Sequence, residues 1–377
     1  MKILIAPNAF KGSLGSPDVA RLLSRGIRSI DPNFEVESIA LADGGDGTLE
    51  VMVSLWEGFT QETPVHDPLG RPIRAAIGFD RAKSRAVIEM ARASGLALLS
   101  NEERNPLLTS SHGTGELILA TLEAGVREVY LGIGGSATND GGAGMAAALG
   151  FLHVDKNGKT IQPNGGTLDD IAKILPPREP SALERLKVTV LCDVTNPLCG
   201  EDGASRVYGA QKGATPEQVE QLDRSLLRLS EIWKRDLGRD VAKTPGSGAA
   251  GGMGGGAMAY LGAELVSGTK VVFAMTDIEE KVKESDRVVT GEGTLDRTSL
   301  VGKIPGRVAN LARKYNKPCY GVCGVCPEPD PTVFHEAGFT DIWEIAPSEI
   351  SIEERILNAP EWVFQTGVRI GGMFLGD

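Results

Sequence analysis

The sequence is short of cysteine, histidine and positive charge, and each shortage excludes a class of protein. Its 377 residues include only five cysteines and four histidines. An odd number of cysteines, spread along a long chain, predicts reduced thiols in a cytosol rather than a disulfide framework. Lys and Arg number 39 against 50 Asp and Glu, which gives a net charge of -11. That balance argues against nucleic acid or an anionic membrane as the main partner.

Targeting and membrane-spanning patterns are not visible either. Met1 and Lys2 lead directly into strand-like residues 3–6, so we expect no signal peptide. No apolar run approaches the ~18 residues that a membrane span requires. We therefore expect a cytoplasmic protein, a monomer or a small homo-oligomer, that acts on small molecules.

Glycine is the residue in excess, at 48 of 377 positions, against a usual ~7%. The glycines have no three-residue period, which excludes collagen. They are clustered, and clustered glycine is typical of loops that bring the backbone close to something else. Acids or hydroxyl groups accompany the glycines at 43–48, 132–144 and 290–296, whereas the run at 246–256 contains no acid.

The order of the predicted elements indicates an α/β fold with two domains. Strand-like and helical segments alternate over the first 50 residues and again after about 280, as in a parallel sheet. Between them, short strands near 74–79 and 85–90 are close enough to pair antiparallel. We predict a discontinuous, doubly wound parallel-sheet domain of Rossmann or flavodoxin-like type, 1–64 and 280–377, with a mixed α/β domain, 65–279, inserted.

Two glycine clusters in the first half have the composition of catalytic loops. Asp43 and Asp46 flank glycines at the end of a predicted strand, so both carboxylates can point at one cation. Helix capping is the alternative. The 132–144 cluster offers backbone amides and the hydroxyls of Ser136 and Thr138 to a phosphate or carboxylate. Close packing of a helix on a strand is the alternative here.

The later clusters are less alike. A predicted strand, 287–290, places Glu292 and Asp296 beyond its carboxyl end, where such sheets carry catalytic residues. Lys303 could neutralise phosphate oxygens, and the alternative is a capped helix start with a solvated lysine. The 246–256 run lacks the Lys-Ser/Thr of a Walker loop, and a hinge between domains is nearly as good an interpretation as a binding loop.

Other catalytic patterns are missing. No second CxxC pair accompanies Cys323 and Cys326, so buried thiols are favoured over zinc ligands. The histidines have no ligand spacing, and the Gly-x-Ser-x-Gly elbow of a serine hydrolase does not occur. Amides for phosphate, carboxylates for Mg²⁺ and a cation for developing charge are all present, so the sequence favours phosphoryl transfer.

Several of these segments, in the same order, resemble the type 1 glycerate kinases. The matching motifs are 6–13, 42–48, 132–140, 192–198, 211–214 and 291–296. The resemblance runs from Met1 to about Gly324 and departs from the family at Tyr208-Gly209-Ala210, where Phe-Gly-Pro is expected. The segment after Cys323 matches less distinctly, so we expect it to carry little functional weight.

The resemblance implies an enzyme that transfers the γ-phosphoryl group of ATP, with Mg²⁺, to a hydroxyl of D-glycerate. The type 1 family is generally associated with the 2-hydroxyl, which gives 2-phosphoglycerate. It also implies two α/β domains with the active site in the cleft between them. A kinase for another small hydroxy acid or sugar acid is an alternative, as is a non-catalytic protein that binds a nucleotide or a small acid.

Residue roles follow from the resemblance as hypotheses. Acidic residues would hold the metal or position the acceptor hydroxyl: Asp43, Asp46, Asp193, Glu292 and Asp296, with Asp43 and Asp46 as the metal ligands. Lys11 would counter phosphate or carboxylate charge. Arg71 could pair with the substrate carboxylate, and a surface turn is the alternative. The substrate and nucleotide candidates are Ser13, Gly44, Gly45, Arg71, Gly134, Gly135, Ser136, Thr138, Asn139, Asn196, Gly291 and Lys303.

Overall fold

The computed structural model describes residues 1–178, 181–328 and 330–376. The predicted domain ranges also contain residues 179, 180, 329 and 377, which lie outside this description. The strands are β1 (Lys2–Ile5), β2 (Glu35–Ser38), β3 (Phe59–His66), β4 (Pro72–Phe79), β5 (Arg85–Glu89), β6 (Glu128–Gly132), β7 (Leu152–Val154), β8 (Thr160–Ile161), β9 (Lys173–Leu175), β10 (Lys187–Leu191), β11 (Glu264–Val266), β12 (Arg287–Thr294), β13 (Cys319–Val325) and β14 (Asp341–Glu344).

Helices occur between most of these strands. They are α1 (Ser16–Ile30), α2 (Thr48–Leu55), α3 (Ala91–Ser94), α4 (His112–Glu123), α5 (Ala143–Ala148), α6 (Ser181–Glu184), α7 (Ala204–Tyr208), α8 (Pro216–Ile232), α9 (Ala249–Leu261), α10 (Gly268–Thr276), α11 (Ile278–Glu284), α12 (Arg297–Leu300), α13 (Ile304–Lys314), α14 (Thr332–Ala337), α15 (Ile352–Leu357) and α16 (Ala359–Gly376). Short 3₁₀ turns lie at Leu96–Leu98, Leu168–Asp170 and Ala210–Lys212, and a π-helical turn at Trp233–Leu237. Across the described ranges, none of the helices combines the length and apolar character needed to cross a membrane.

The chain divides into two compact units. The first unit consists of Met1–Asp43 and Thr269–Asp377, and the second of Gly44–Gly268. These boundaries differ from the predicted domain ranges at both ends of the insertion. Residues 44–64 belong to the second unit because α2 packs against β4 and β5, and residues 269–279 belong to the first, in which α11 packs against α13 and β1.

The first unit contains the predicted parallel sheet. Its order is β14-β13-β12-β1-β2, and every neighbouring pair is parallel. This is the flavodoxin-like order of a doubly wound sheet, in which the chain reverses direction across the sheet between β1 and β12. The apolar residues Val19, Leu23 and Ile27 of α1 are buried with the sheet residues Ile3, Ile5 and Val289 in one core.

β12 is longer than predicted and changes the nature of the fourth glycine cluster. Instead of ending at Thr290 it continues to Thr294, with Gly291 and Glu292 opposite Val322 and Cys323 of β13. A Cβ atom at Gly291 would lie 1.9 Å from the carbonyl oxygen of Val322. The prediction of a loop at 291–294 is therefore wrong, because pairing with β13 extends the strand through the glycines.

The second unit is a mixed α/β structure, as predicted. Its main sheet has the order β11-β10-β6-β5-β4-β3, in which β5, β6, β10 and β11 are parallel and the predicted antiparallel pair of β4 and β5 is present. A small antiparallel sheet has the order β8-β7-β9. α8 begins at a capping box of Thr215 and Gln218, which satisfies amide groups that the first helical turn leaves unpaired.

The glycine run at 246–256 lies wholly within the second unit, so the hinge interpretation is wrong. The run includes a kink inside α9 at Gly251 and Gly252, whose φ values of 68° and 88° are left-handed. A Cβ atom at Gly251 would lie 2.0 Å from the carbonyl oxygen of Thr138, and one at Gly256 would lie 2.1 Å from that of Gly141. Glycine is needed because this segment packs backbone to backbone against the 132–144 cluster.

This packing predicts that Gly251→Ala destabilises the protein more than the same substitution at a left-handed glycine that has no close neighbours. Gly158 is the matched control, since its φ is 82° and a Cβ atom there would have no neighbouring atom within 4 Å. Gly158→Ala should cost about 1–2 kcal/mol from the left-handed backbone. Gly251→Ala adds a backbone clash and should cost about 3 kcal/mol or more. Urea denaturation followed by circular dichroism measures both, and equal losses would contradict the packing account.

Candidate active site

Five of the predicted site residues line one pocket in the first unit. The cavity, about 230 Å³ in volume, lies at the carboxyl ends of β1, β12, β13 and β14. Lys11, Ser13, Glu292, Asp296 and Lys303 form part of its wall. The pocket lies where β1 and β12 meet, at the reversal of the strand order, and ligands of doubly wound sheets bind at this position.

The segment that carries Lys11 is fixed on two sides. It crosses the end of β12 at Gly293, where a Cβ atom would lie 3.3 Å from the Lys11 amide nitrogen. The Ser13 hydroxyl donates to the carbonyl oxygen of Ile356 in α15 at 3.3 Å. The Lys11 side chain is therefore held at the mouth of the pocket by its own backbone, and it is exposed to solvent.

Glu292 is the ionisable group of this pocket with the strongest chemical signature. Its side chain is 7% exposed, and within the described residues its Oε1 atom has no hydrogen-bond partner. Burial raises the pKa of its carboxyl, and the charge of Asp43 raises it further; the Ser299 hydroxyl and the charges of Lys303 and Lys11 act in the opposite direction. A carboxylate with raised proton affinity and one open oxygen is suited to accept a proton from a bound hydroxyl group.

Asp296 has a different environment from Glu292. Its carboxylate caps α12, with Oδ1 accepting from the amides of Thr298 at 2.8 Å and Ser299 at 3.1 Å. The hydrogen bond from the Thr298 side chain is the main cause that lowers the pKa of Asp296. Lys303 donates to the same Thr298 side chain at 2.9 Å. The structure thus favours the alternative of a capped helix start for Asp296, at the edge of the pocket.

The C-terminal segment contributes more to this pocket than expected. Ile345, Ile352, Arg355, Ile356 and Ala359 all line it. The guanidinium of Arg355 is 6% exposed and donates to the carbonyl oxygen of Gly324 at 2.7 Å and to Glu344 at 2.8 Å. The expectation that the tail carries little functional weight fails here, because the chain after β14 closes one side of the pocket.

The pocket is not the largest concavity of the first unit. A groove of about 640 Å³ lies between α11 and α13, but it contains none of the predicted site residues. Two of its charged side chains, Lys314 and Glu279, pair with each other at 2.5 Å. We place the candidate site in the smaller pocket because its position at the strand ends and the open oxygen of Glu292 both point to chemistry.

The second unit brings together another set of predicted residues. Gly44 and Gly45 pass over the carboxyl ends of β6 and β10, where a Cβ atom at Gly44 would lie 2.9 Å from that of Leu191. A Cβ atom at Gly134 would lie 2.8 Å from the Gly45 Cα atom. Asp46 is exposed beside Gly135, its Oδ1 atom 3.4 Å from the position of a Cβ there. The two glycine clusters are therefore one surface, made possible by backbones in direct contact.

The side chains of the second cluster are less available than its backbone. Gly134 is half-buried and Gly135 exposed, but Ser136 is 6% exposed and Thr138 and Asn139 are fully buried. Asn139 donates to the Ser205 hydroxyl at 3.0 Å inside the unit. Any ligand at this surface would meet the backbone amides rather than the Thr138 and Asn139 side chains that the sequence suggested.

Lys212 is a functional candidate that sequence reasoning missed. It is 2% exposed, and its ammonium group donates to the Ser136 hydroxyl at 2.9 Å and to the Thr138 carbonyl oxygen at 2.6 Å. Burial lowers the pKa of Lys212 to about 7, while the charge of Asp140 raises it. Lys212 belongs to the 211–214 motif, but no spacing in the sequence connects that motif with residues 132–144.

Asp140 is buried in the same region and anchors the end of the second cluster. It accepts hydrogen bonds from the amides of Ser111 at 2.8 Å and Gly142 at 3.0 Å. Burial raises the pKa of its carboxyl, although these hydrogen bonds lower it. The sequence places Asp140 at the end of the 132–140 motif without a role, and the structure gives it that of a loop anchor.

Asp193 and Asn196 follow β10, and their side chains differ in exposure and in hydrogen-bond partners. Asp193 is exposed and accepts a hydrogen bond from the Ser267 hydroxyl, which follows β11. Asn196 donates to the carbonyl oxygen of Asp202 at 2.8 Å and accepts from the hydroxyl of Tyr208 at 2.8 Å. Tyr208 stands where the family resemblance predicts Phe, so its hydroxyl adds a bond to a site candidate that Phe could not make.

Arg71 has partners that favour the surface turn. Its guanidinium contacts Asp67 at 2.5 Å, Glu103 at 2.6 Å and the carbonyl oxygen of Leu98 at 3.3 Å. These partners use all three of its nitrogen atoms, and the Asp67 carboxylate also accepts from the Arg71 amide. Nothing in this geometry leaves a bidentate face for a substrate carboxylate.

Few of the described residues are candidates for metal ligands. Within the ranges that the structure describes, no group of three or more His, Cys, Asp or Glu side chains is placed to hold a metal ion. Cys319 and Cys323 are buried in β13, in agreement with the buried-thiol interpretation, whereas Cys326 lies after the strand and is only half-buried. Mg²⁺ usually takes one or two protein carboxylates and completes its shell with water and substrate phosphates, so Asp43 and Asp46 stay candidates.

The cap at Asp296 predicts a loss of stability for Asp296→Ala of about 1 kcal/mol, because two amides of α12 lose their acceptor. Asp296→Asn keeps a capping oxygen and should cost much less, since Asn caps nearly as well as Asp. Urea midpoints of the two variants measure the difference. Ser351→Ala, which removes the side-chain cap of α15, calibrates the effect in the same unit; an Asp296→Ala variant as stable as the parent would contradict the assignment.

Comparison with known proteins agrees with the resemblance. The model of the glycerate kinase family matches residues 3–375. The glycerate 2-kinase of Escherichia coli (strain K12) is 44% identical over 363 residues, which covers 95% of this chain and 94% of that protein. The glycerate kinase of Halalkalibacterium halodurans is 43% identical over 352 residues, 93% of this chain and 92% of that one.

A solved structure is similar over the whole length. The crystal structure assigned to a glycerate kinase 2 from Salmonella typhimurium LT2 has a TM-score of 0.85 and 40% sequence identity, and the match covers 100% of this chain and 98% of that one. Family model, sequence relatives and structure agree over nearly every residue. The chain therefore belongs to the glycerate kinase family and is a kinase by that membership.

Proposed function

We propose that this kinase phosphorylates D-glycerate on its 2-hydroxyl group, with MgATP as the phosphoryl donor, to give 2-phosphoglycerate. The observation that carries the proposal is Glu292: a buried carboxylate with an open oxygen, in a pocket with Lys11 and Lys303, at the switch point of a doubly wound sheet. The similarity to a protein named glycerate 2-kinase supports the choice of the 2-hydroxyl.

The size of the pocket supports a small acceptor. Its volume of about 230 Å³ is below the roughly 300–1,000 Å³ of sites that take drug-sized ligands. A three-carbon hydroxy acid fits such a volume. Lys11 and Lys303 supply positive charge for the carboxylate of D-glycerate, and a substrate anion there would also offset the charges that these two lysines bring to the pocket.

Glu292 is the proposed general base. As the 2-hydroxyl oxygen forms its bond to phosphorus, the hydroxyl proton passes to the carboxylate of Glu292, and the bond to the leaving ADP breaks. A positioned base of this kind contributes about 10²–10⁴-fold to a rate. Asp296 is not needed for this step, since its carboxylate is engaged at the start of α12.

The donor side rests on carboxylates and amides. Asp43, Asp46 and Asp193 are our candidates for holding Mg²⁺, which when bound neutralises charge on the phosphate oxygens. The backbone around Gly134 and Gly135 is our candidate for contact with phosphate. In the pocket of the first unit, Lys11 and Lys303 oppose the negative charge that Glu292 and a substrate carboxylate would bring together.

The proposal is tested by ADP release from MgATP with the purified protein. We expect ADP formation that depends on D-glycerate, and one product that ³¹P and ¹H NMR identify as 2-phosphoglycerate. L-glycerate, glycolate, D-lactate and a sugar acid form the comparison panel. A higher kcat/KM with another acid would remove D-glycerate as the substrate, and 3-phosphoglycerate would remove the 2-hydroxyl as the acceptor.

Glu292→Gln should lower kcat by about 10²–10⁴-fold, because the amide keeps the shape of the side chain but cannot accept the proton. Asp296→Asn is the matched control from the same pocket and should keep kcat within a few-fold. Folding raises the pKa of Glu292. Above that pKa, the ionised carboxylate therefore lowers the stability of the folded protein. Glu292→Gln should therefore melt at the same temperature as the parent at pH 7, or higher; similar losses of kcat in both variants would refute the assignment of the base.

The pH dependence follows the same group. Only ionised Glu292 accepts a proton, so kcat/KM for D-glycerate should fall as the pH decreases through its pKa, which lies above the ~4.3 of an ordinary Glu. The acidic limb should persist in Asp296→Asn. A profile that stays flat through the ~4.3 of an ordinary Glu in the parent enzyme, with its fold intact by circular dichroism, would be inconsistent with this base.

A further inference from the structure

Lys212 has a position that packing does not explain. It is the one buried lysine in the described part of the chain, and it ends the 3₁₀ turn Ala210–Lys212 in the second unit. Removing an ammonium group from water is unfavourable, and an apolar side chain of similar length would be less costly to bury. Two of the three N–H groups of the ammonium donate hydrogen bonds to one segment, at Ser136 and Thr138.

The same segment is held from its other side by the backbone. Gly95 and Ser136 form an isolated antiparallel bridge. The Leu96 amide donates to the carbonyl oxygen of Gly135 at 2.9 Å, and the Ala137 amide donates to that of Ser94 at 2.9 Å. Residues 134–139 are thus fixed between the Ser94–Leu96 backbone and the ammonium group of Lys212.

The segment held in this way has backbone amides without hydrogen-bond acceptors. Among the described residues, the amide groups of Gly134 and Gly135 donate to no protein oxygen. Gly134 and Gly135 are at the surface, and Gly135 has a left-handed φ of 71°. Successive amides with a left-handed residue form the kind of concavity that binds anionic oxygens. The Asp46 carboxylate beside Gly135 would repel a bare anion, and it favours one that arrives with a cation, as a polyphosphate does with Mg²⁺.

We propose that Lys212 is a positioning residue for phosphate binding: its ammonium group holds residues 134–139 so that the amides of Gly134 and Gly135 meet a phosphate of MgATP. This inference rests on the proposed function for the identity of the nucleotide. Lys212 itself does not touch the phosphate, since it is enclosed behind Ser136. Its charge adds to the pull of the amides on an anion, because little water screens it.

The test compares steady-state kinetics of Lys212→Met with the parent enzyme. Met keeps the length of the side chain and removes both hydrogen bonds and the charge. We expect KM for MgATP to rise by about tenfold or more, which corresponds to the loss of roughly one well-placed charge-assisted hydrogen bond. We expect KM for D-glycerate to change less than twofold. A merely structural role would lower the active fraction, and therefore kcat, without changing either KM.

Two further variants keep the test decisive. Ser136→Ala removes one acceptor of Lys212 with little risk to folding, and it should raise KM for MgATP by a few-fold in the same direction. Lys187→Met removes an exposed lysine of the same unit that pairs with Glu128, and it should change neither KM. Melting curves and circular dichroism establish folding of each variant.

The outcomes separate this inference from the proposed function. If the parent enzyme makes no ADP with D-glycerate, the proposed function fails, and binding of MgADP to parent and Lys212→Met by calorimetry then tests Lys212 directly. Equal MgADP affinities, or unchanged KM for MgATP in both Lys212→Met and Ser136→Ala, would overturn the inference. A rise confined to KM for D-glycerate would overturn it as well, because the bound group would then be a carboxylate.

Discussion

The chemistry of this protein depends on the parallel pairing of strands. In a parallel sheet every strand ends at the same edge, so the loops that follow meet there whatever their distance in sequence. In the first unit this edge brings the segment after β1 next to the end of β12, and Lys11 next to Glu292. In the second unit the same rule brings the residues after β6, β10 and β11 to one edge.

A buried ionisable group lies close to such an edge in each unit, Glu292 in the first and Lys212 in the second, and burial shifts these two groups toward neutrality. Desolvation raises the pKa of Glu292 and lowers that of Lys212 to about 7. Neither group has the full set of partners that would make it a purely structural ion pair. Glu292 has an open oxygen, and Lys212 faces a hydroxyl and a carbonyl. Buried groups of this kind lower stability, and proteins retain them where a function requires them.

The sequence predicted the α/β class, the parallel sheet and the antiparallel pair of β4 and β5, because hydrophobic periodicity and strand–helix alternation are local signals. It failed where the deciding contact is distant in sequence. β12 extends through Gly291 because β13 pairs with it, the tail closes a pocket around Glu292, and Lys212 reaches Ser136 across 76 positions. Asp296 shows a second limit, since a capping acid and a catalytic acid have the same residue type at the same place after a strand.

The excess of glycine has one physical cause in the regions where it is densest. A Cβ atom would lie within 3.0 Å of another segment at Gly44, Gly134, Gly251 and Gly291. In three of these four cases the nearest atom belongs to the backbone of that segment. Backbones that touch leave no room for side chains, and they bring amide groups close together at a surface. In the second unit, the surface formed around Gly44 and Gly134 is the one at which we propose that phosphate binds. Packing is what the structure shows for these glycines, and it is compatible with the phosphate binding that we propose for the second unit.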